Sequence, residues 1–277
     1  MRKIIGILTF LLLLQSPLLF SQGEIRLPER GICAHRGANE THPENTLAAF
    51  REAVRLGAHM VEFDVQITKD KQLVIMHDKS VNRTTNGKGL VSELTLLEIK
   101  KLDAGSWKSS RFKGEEVPTL KEALAVFPKN IWLNIHLKGN KKLGEMTAKV
   151  ILSEGRVRQG VIACGKEAAS GVKSVSSKIL ICNMERQSDR KEYVQKTIQG
   201  KYPFIQLLKK RNDDSLRDDL TILHQNKVKI NYYFGDTESE VKELFKIGVD
   251  FVLSNKLDQM LTVAEKMGIE RLNQKSK

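Results

Sequence analysis

Only three cysteines stand in 277 residues, and that scarcity excludes a disulfide framework. Cys33, Cys164 and Cys182 each lie in or beside a short apolar run, where a buried structural thiol is the expectation. Prolines number six, and no stretch is rich in proline and serine, so no linker divides the chain. Long basic tracts are also missing. Lysines are scattered, with short runs such as Lys209-Lys210-Arg211 and no aromatic residues interleaved, which argues against nucleic acid as a partner. Beyond the amino terminus no segment is apolar enough to cross a bilayer.

What is present begins with a leader. Arg2 and Lys3 precede an apolar run from Ile4 to Leu14, followed by Phe20-Ser21-Gln22-Gly23. A positive start, an apolar middle and a small-residue exit read as a secretory signal over residues 1–22. The expectation is an exported protein, periplasmic or secreted, with no stable membrane insertion once the leader is cut. No cysteine near the exit offers a lipid anchor. Losing Arg2 and Lys3 lowers the formal charge from +13 to +11, a balance that favours anionic partners such as phosphate esters.

From residue 23 to 277 short apolar runs alternate with amphipathic stretches. Strands are expected at 32–35, 60–67, 73–77, 131–137, 160–163, 179–183, 204–208, 228–232 and 251–254. Helices are expected at 44–56, 120–127, 142–154, 187–199, 213–225, 238–247 and 259–266. Such alternation argues for βαβ units around a parallel sheet. Only Lys69 to Gln72 separate the second and third strands, too few for a crossover, so these two form an antiparallel hairpin. Eight strands remain, and eight parallel strands with helices close as a barrel. The fold class is therefore α/β, a (β/α)₈ TIM barrel in one domain. The polar, glycine-containing segment 82–118 after the hairpin is expected as a small subdomain or long loop over the active site.

Four clusters carry chemistry. His35 and Arg36 follow the first strand, at the end where a barrel keeps its catalytic groups. Arg36 offers a planar fork suited to phosphate, and His35 can move a proton near neutral pH. Glu62 and Asp64, two apart on a strand, project to one face. Two buried carboxylates repel unless something pairs with them, and a divalent cation does so efficiently. His77 ends the hairpin's return strand. A turn centred on Lys69-Asp70 sets Asp64 opposite Ile75 and Glu62 opposite His77, which brings His77 beside the carboxylates. Asn134, His136 and Lys138 alternate with apolar residues, so three polar groups share one face of a barrel strand, a costly interior unless it forms a site.

Taken in order, His35-Arg36-Gly37, Pro43-Glu44-Asn45-Thr46, Glu62-Phe63-Asp64-Val65, Thr68-Lys69-Asp70, His77-Asp78 and Arg83-Thr84-Thr85 resemble the signature run of glycerophosphodiester phosphodiesterases. Val91-Ser92-Glu93-Leu94-Thr95, Leu102-Asp103-Ala104-Gly105-Ser106-Trp107 and Val117-Pro118-Thr119-Leu120 continue it. The likeness is dense from His35 to about Leu124 and thinner beyond. Pro43-Glu44-Asn45-Thr46 reads mainly as a helix start that fixes the first loop.

The resemblance implies metal-dependent hydrolysis of a small phosphodiester to glycerol phosphate and an alcohol. It makes His35 and His77 the acid/base pair, Arg36 and Lys138 the phosphate contacts, and Glu62 and Asp64 metal ligands. The family usually carries Glu-x-Lys on the next barrel strand, with that Glu as third ligand. Here His136 stands in its place. The family's ion would be Ca²⁺ or Mg²⁺, which prefer oxygen, whereas two carboxylates and an imidazole suit Zn²⁺ or Mn²⁺. The family's Trp-Thr-Val-Asn type run is also replaced, by Asn231-Tyr232-Tyr233-Phe234, so the substrate wall differs. Two alternatives stay open: a barrel phosphodiesterase of the phospholipase C or sphingomyelinase D type, and a phosphoester-binding relative without turnover.

Overall fold

Strand and helix alternate throughout the computed structural model, which describes residues 26–272, so the leader expected at 1–22 lies outside the described residues. The order begins β1 (Gly31–His35), α1 (Leu47–Leu56), β2 (Met60–Ile67), β3 (Leu73–Ile75), α2 (Leu96–Ile99) and α3 (Leu120–Val126). It continues β4 (Trp132–Leu137), α4 (Lys141–Ser153), β5 (Gly160–Cys164), α5 (Lys166–Val175), β6 (Leu180–Asn183) and α6 (Arg190–Gln199). It ends β7 (Phe204–Leu208), α7 (Leu216–Gln225), β8 (Lys229–Tyr233), α8 (Glu238–Ile247), β9 (Phe251–Ser254) and α9 (Leu257–Glu265). Helix starts are fixed locally. Thr46, Asn140, Asp189 and Thr237 each accept a backbone N–H of the first turn, while Gly57 and Gly248 end α1 and α8 in the left-handed conformation.

The strands run β1-β9-β8-β7-β6-β5-β4-β2 in parallel, and β1 also pairs with β2, which closes the ring. β3 lies antiparallel on β2, outside the ring. The result is a (β/α)₈ barrel. Alternation along each strand sorts the residues. Val61, Phe63 and Val65 face the helices and join the main core, while Met60, Cys33, Trp132, Cys182, Phe204 and Phe251 fill the lower barrel interior. All three cysteines are buried and unpaired, as expected for structural thiols. The 82–118 segment builds its own small core, with Val91, Ile99, Ala104 and Val117 packed on Val74, Met76 and Val81. No helix among the described residues is long and apolar enough to cross a membrane.

Two local expectations are corrected. The hairpin pairs Val65 with Ile75 and Gln66 with Val74, so Asp64 comes opposite Met76, one residue away from the anticipated Ile75. The reason is the turn. Lys71 adopts a left-handed backbone (φ 62°) and Thr68 N–H donates to Gln72 O at 2.9 Å, so the loop centres half a residue later. The second correction is α5, which the helical pattern did not reveal. Its sequence, KEAASGVKSV, is poor in large apolar residues because it lies almost in backbone contact with α4. A Cβ on Gly171 would sit 2.0 Å from Lys141 O, and one on Gly144 would sit 2.1 Å from Ala168 O.

Candidate active site

Register brings the polar residues to one level of the barrel. Glu62 is the partner of His35 across β1–β2, and Asp64 is the partner of His136 across β2–β4. Their side chains point inward at the carboxyl ends of the strands, above the apolar plug. The cavity there measures about 280 Å³, and His35, Arg36, Glu62, Asp64, His77, His136 and Lys138 all line it. Every residue anticipated for the site thus meets in one place. The 82–118 segment contributes nothing to the cavity's lining among the described residues, contrary to the expectation of a cover. Its Arg83 acts from behind, as described below. The opposite wall comes instead from Arg186, the ends of β7 and β8, and Lys209 and Lys210.

Glu62, Asp64 and His136 each place one ligand atom within 4.8 Å of the others. His136 Nδ1 lies 3.3 Å from Asp64 Oδ1 and 3.7 Å from Glu62 Oε1. Lys138 Nζ is 3.2 Å from the same Asp64 oxygen. Even so, Asp64 Oδ1 is buried with no hydrogen bond of proper geometry. A buried carboxylate oxygen left in this way costs free energy, and it suits a cation as its partner. Burial favours protonation of Asp64, but His136, Lys138 and His77 outweigh it and hold the carboxyl far below the ordinary range. Burial likewise opposes charge on His136, and the two carboxylates overcome it, so its pKa is raised. The donor set therefore fits a divalent cation of the kind that accepts nitrogen as well as oxygen.

His77 reaches the cavity despite the shifted register. β3 ends at Ile75, and Gln66 Nε2 donates both to Met76 O at 2.9 Å and to Asp78 O. This bend takes His77 out of the ladder's alternation and into the cavity. Its Nδ1 lies 2.7 Å from Asp78 Oδ1, and Arg83 grips Asp78 at 2.7 Å from behind. His35 is oriented on the other side. Asn255 donates Nδ2–H to Asp236 at 2.8 Å, which turns its Oδ1 toward His35 Nδ1, also at 2.8 Å. Nδ1 of His35 must then carry the hydrogen, and Nε2 is left to face Glu62 at 4.0 Å. In both histidines Nδ1 is held by a side-chain oxygen, and Nε2 makes no hydrogen bond among the described residues.

Three partners were not anticipated from the sequence. Asn45 Nδ2 donates to Asp64 Oδ2 at 3.0 Å, so Asn45 fixes the carboxylate's orientation. Glu44 accepts from Arg36 Nη1 at 2.8 Å and from two Arg83 nitrogens at 2.8 and 2.9 Å. Glu44 therefore positions Arg36. Arg36 itself has a left-handed backbone (φ 55°), a strained choice for a side chain of this kind. Its N–H bonds Glu62 Oε2 at 3.0 Å and its carbonyl accepts from Asn45 N–H at 3.0 Å, which hold that conformation. Asn255 stands directly after β9, and that position at the tip of a barrel strand was the available signal.

Comparison with known proteins agrees with this geometry. Residues 35–217 match the Glycerophosphoryl diester phosphodiesterase family. The chain is 30% identical over 270 residues to a glycerophosphodiester phosphodiesterase of Bacillus subtilis, covering 86% of this chain and 88% of that protein. It is 51% identical over 108 residues to another, from Caldanaerobacter subterraneus, but there the match covers 39% of this chain and only 44% of the relative's length. Among solved structures it resembles an Oleispira antarctica phosphodiesterase in complex with the product sn-glycerol-3-phosphate. The TM-score is 0.74 and the identity 27%, covering 85% of this chain and 96% of that one. With the closed barrel, the family match and the near full-length likeness in agreement, the chain belongs to the glycerophosphoryl diester phosphodiesterase family.

Proposed function

We propose that this protein hydrolyses glycerophosphodiesters to glycerol phosphate and an alcohol. The observation that carries the reading is one cavity holding the Glu62–Asp64–His136 cluster, with Arg36 and Lys138 beside it and with His35 and His77 each fixed at Nδ1. Glu62, Asp64 and His136 would hold one divalent ion, which when bound supplies positive charge for the phosphoryl oxygens. Arg36 and Lys138 bind the remaining phosphoryl oxygens and offset the charge that grows as the new P–O bond forms. One histidine takes the proton of the attacking hydroxyl at its Nε2. The other gives a proton to the oxygen of the leaving alcohol as the old P–O bond breaks. The attacking hydroxyl is water or the neighbouring glycerol hydroxyl, the second by way of a cyclic phosphate.

His136 in place of a carboxylate supports a preference for Zn²⁺ or Mn²⁺ over Ca²⁺ or Mg²⁺. The leader pattern at residues 1–22 supports export, and sequencing the amino terminus of the protein from cell fractions tests it. The deciding experiment is turnover of a glycerophosphodiester panel by metal-stripped protein, with each of the four ions added back singly. Glycerol phosphate release, reduced about 10²–10⁴-fold in His35→Ala and in His77→Ala, is the expected result. Near-normal rates in both variants would exclude two-histidine catalysis. A lasting cyclic phosphate would favour the phospholipase C type. Tight ligand binding without release under any ion would favour a non-catalytic relative.

A further inference from the structure

The far wall of the cavity bears on which alcohol leaves. Glu62 and Asp64 lie on β2, and β7 stands four strands away around the eight-stranded ring, directly opposite. The connections after β6 and β7 carry Arg186, Lys209 and Lys210 into the same cavity, and among the described residues the only acids lining it are Glu62 and Asp64. A phosphodiester bound at the β2–β4 side therefore extends one arm across the mouth toward three cations.

Those cations differ in what they already touch. Lys209 is paired with Glu240 and lies over the Phe234 ring, 5.3 Å from its centre. Arg186 has no carboxylate partner among the described residues. Its Nη2 rests 3.7 Å from the Met184 sulfur, and its Nε is buried with no hydrogen-bond partner. Lys210 is exposed and likewise makes no ion pair among the described residues. A buried guanidinium nitrogen without an acceptor costs free energy until an anion supplies one. A quaternary ammonium group would instead need an open aromatic face, whereas Lys209 lies over Phe234 and the Tyr233 ring packs against both His35 and Phe234.

We propose that the preferred substrate is a glycerophosphodiester whose leaving alcohol carries a second anion, a phosphate or a carboxylate, held by Arg186 and Lys210. This rests on the phosphodiesterase reading above and narrows it. The uncharged part of the arm passes Tyr233 and Leu208, which line the cavity between the two ends.

The test compares four substrates: glycerophosphocholine, glycerophosphoglycerol, glycerophosphoglycerol phosphate and glycerophosphoglycerate. Each is assayed with the metal-loaded native chain and with the Arg186→Gln/Lys210→Gln double variant. At low salt kcat/KM for an anionic substrate should exceed that for glycerophosphocholine by about ten-fold. That ratio should shrink as salt rises and fall close to one in the double variant. The two anionic substrates tell a phosphate from a carboxylate as the bound group. Equal turnover of all four, a preference for the choline ester, or the same ratio in native and variant chains would overturn the proposal. Absence of turnover for every substrate would refute the phosphodiesterase reading instead. The subsite is then read by calorimetry, where glycerol 1,3-bisphosphate should bind the native chain about ten-fold tighter than sn-glycerol 3-phosphate, with the margin lost in the variant. Equal affinities would overturn it.

Discussion

Replacing Gly171 by alanine sets two rules against each other. Gly171 lies within α5, and on helix propensity alone the change should stabilise by about 0.5–1 kcal/mol. The packing says otherwise. The new Cβ would stand 2.0 Å from Lys141 O, a backbone atom at the start of α4 that no rotamer change can move. The helices must part by roughly 1 Å or more, and overpacking of this kind costs about 1–3 kcal/mol. The net expectation is a loss of about 1–2 kcal/mol, seen as a melting temperature lower by about 2–8 °C. Urea titration at equilibrium gives the free energy directly, with an unchanged m-value if only packing is altered. Gly144→Ala should behave alike, because its Cβ would meet Ala168 O at 2.1 Å. The double variant should lose less than the sum, since helices already parted by one methyl have room for the next. A Gly171→Ala protein as stable as the native chain, or more so, would refute the close contact of α4 and α5.

Three further outcomes are expected. His59 accepts from Ile32 N–H at Nδ1 (3.1 Å) and meets Glu270 O through Nε2 (2.8 Å), and burial lowers its pKa. The unfolded chain therefore binds a proton near pH 6.5 that the folded chain refuses, so stability is full above that pH and declines as pH falls toward the folded value. Melting curves from pH 7.5 to 5 should show this slope in the native chain and not in His59→Gln, and equal slopes would count against it. Glu44→Gln removes the charge that holds Arg36 at 2.8 Å, so KM should rise about ten-fold while kcat changes less, as steady-state kinetics would reveal. His136→Glu adds a third carboxylate beside Glu62 and Asp64, and metal titration should show preference moving toward Ca²⁺ or Mg²⁺. An unchanged preference would show that His136 does not choose the ion.

The barrel was legible because parallel strands covered on both faces read as short apolar runs, and β2, β7, α8 and β9 have the anticipated bounds. Glu62, Asp64, His136 and Lys138 were legible through parity, since a two-residue spacing on a strand settles which face a side chain takes. Parity failed at His77, where the hairpin register is shifted and a bend pinned by Gln66 supplies the reach that alternation would have denied. α5 was hidden because its buried face is made of small residues, Ala168, Ala169, Gly171 and Val172, so the large apolar side chains that mark other helices are missing from its stripe. Asn45, Glu44 and Asn255 act on site residues through the folded chain, and sequence spacing carries no trace of contacts across 19 or 220 residues.

β2 is hydrogen-bonded along its length to β1, β3 and β4, and its outward Phe63 lies between Phe50 at 5.5 Å and Phe127 at 5.6 Å. Amides of such a strand should exchange with solvent only when the whole barrel opens, and Glu62 and Asp64 belong to those same eight residues. Glu62 and Asp64 therefore keep their spacing for as long as the protein is folded at all. Arg186, Lys209 and Lys210 stand instead on connections at the mouth, beyond the ends of β6 and β7, where the strand ladder does not reach. The carboxylates are thus fixed by the barrel itself, while the cations opposite them are placed by the loops.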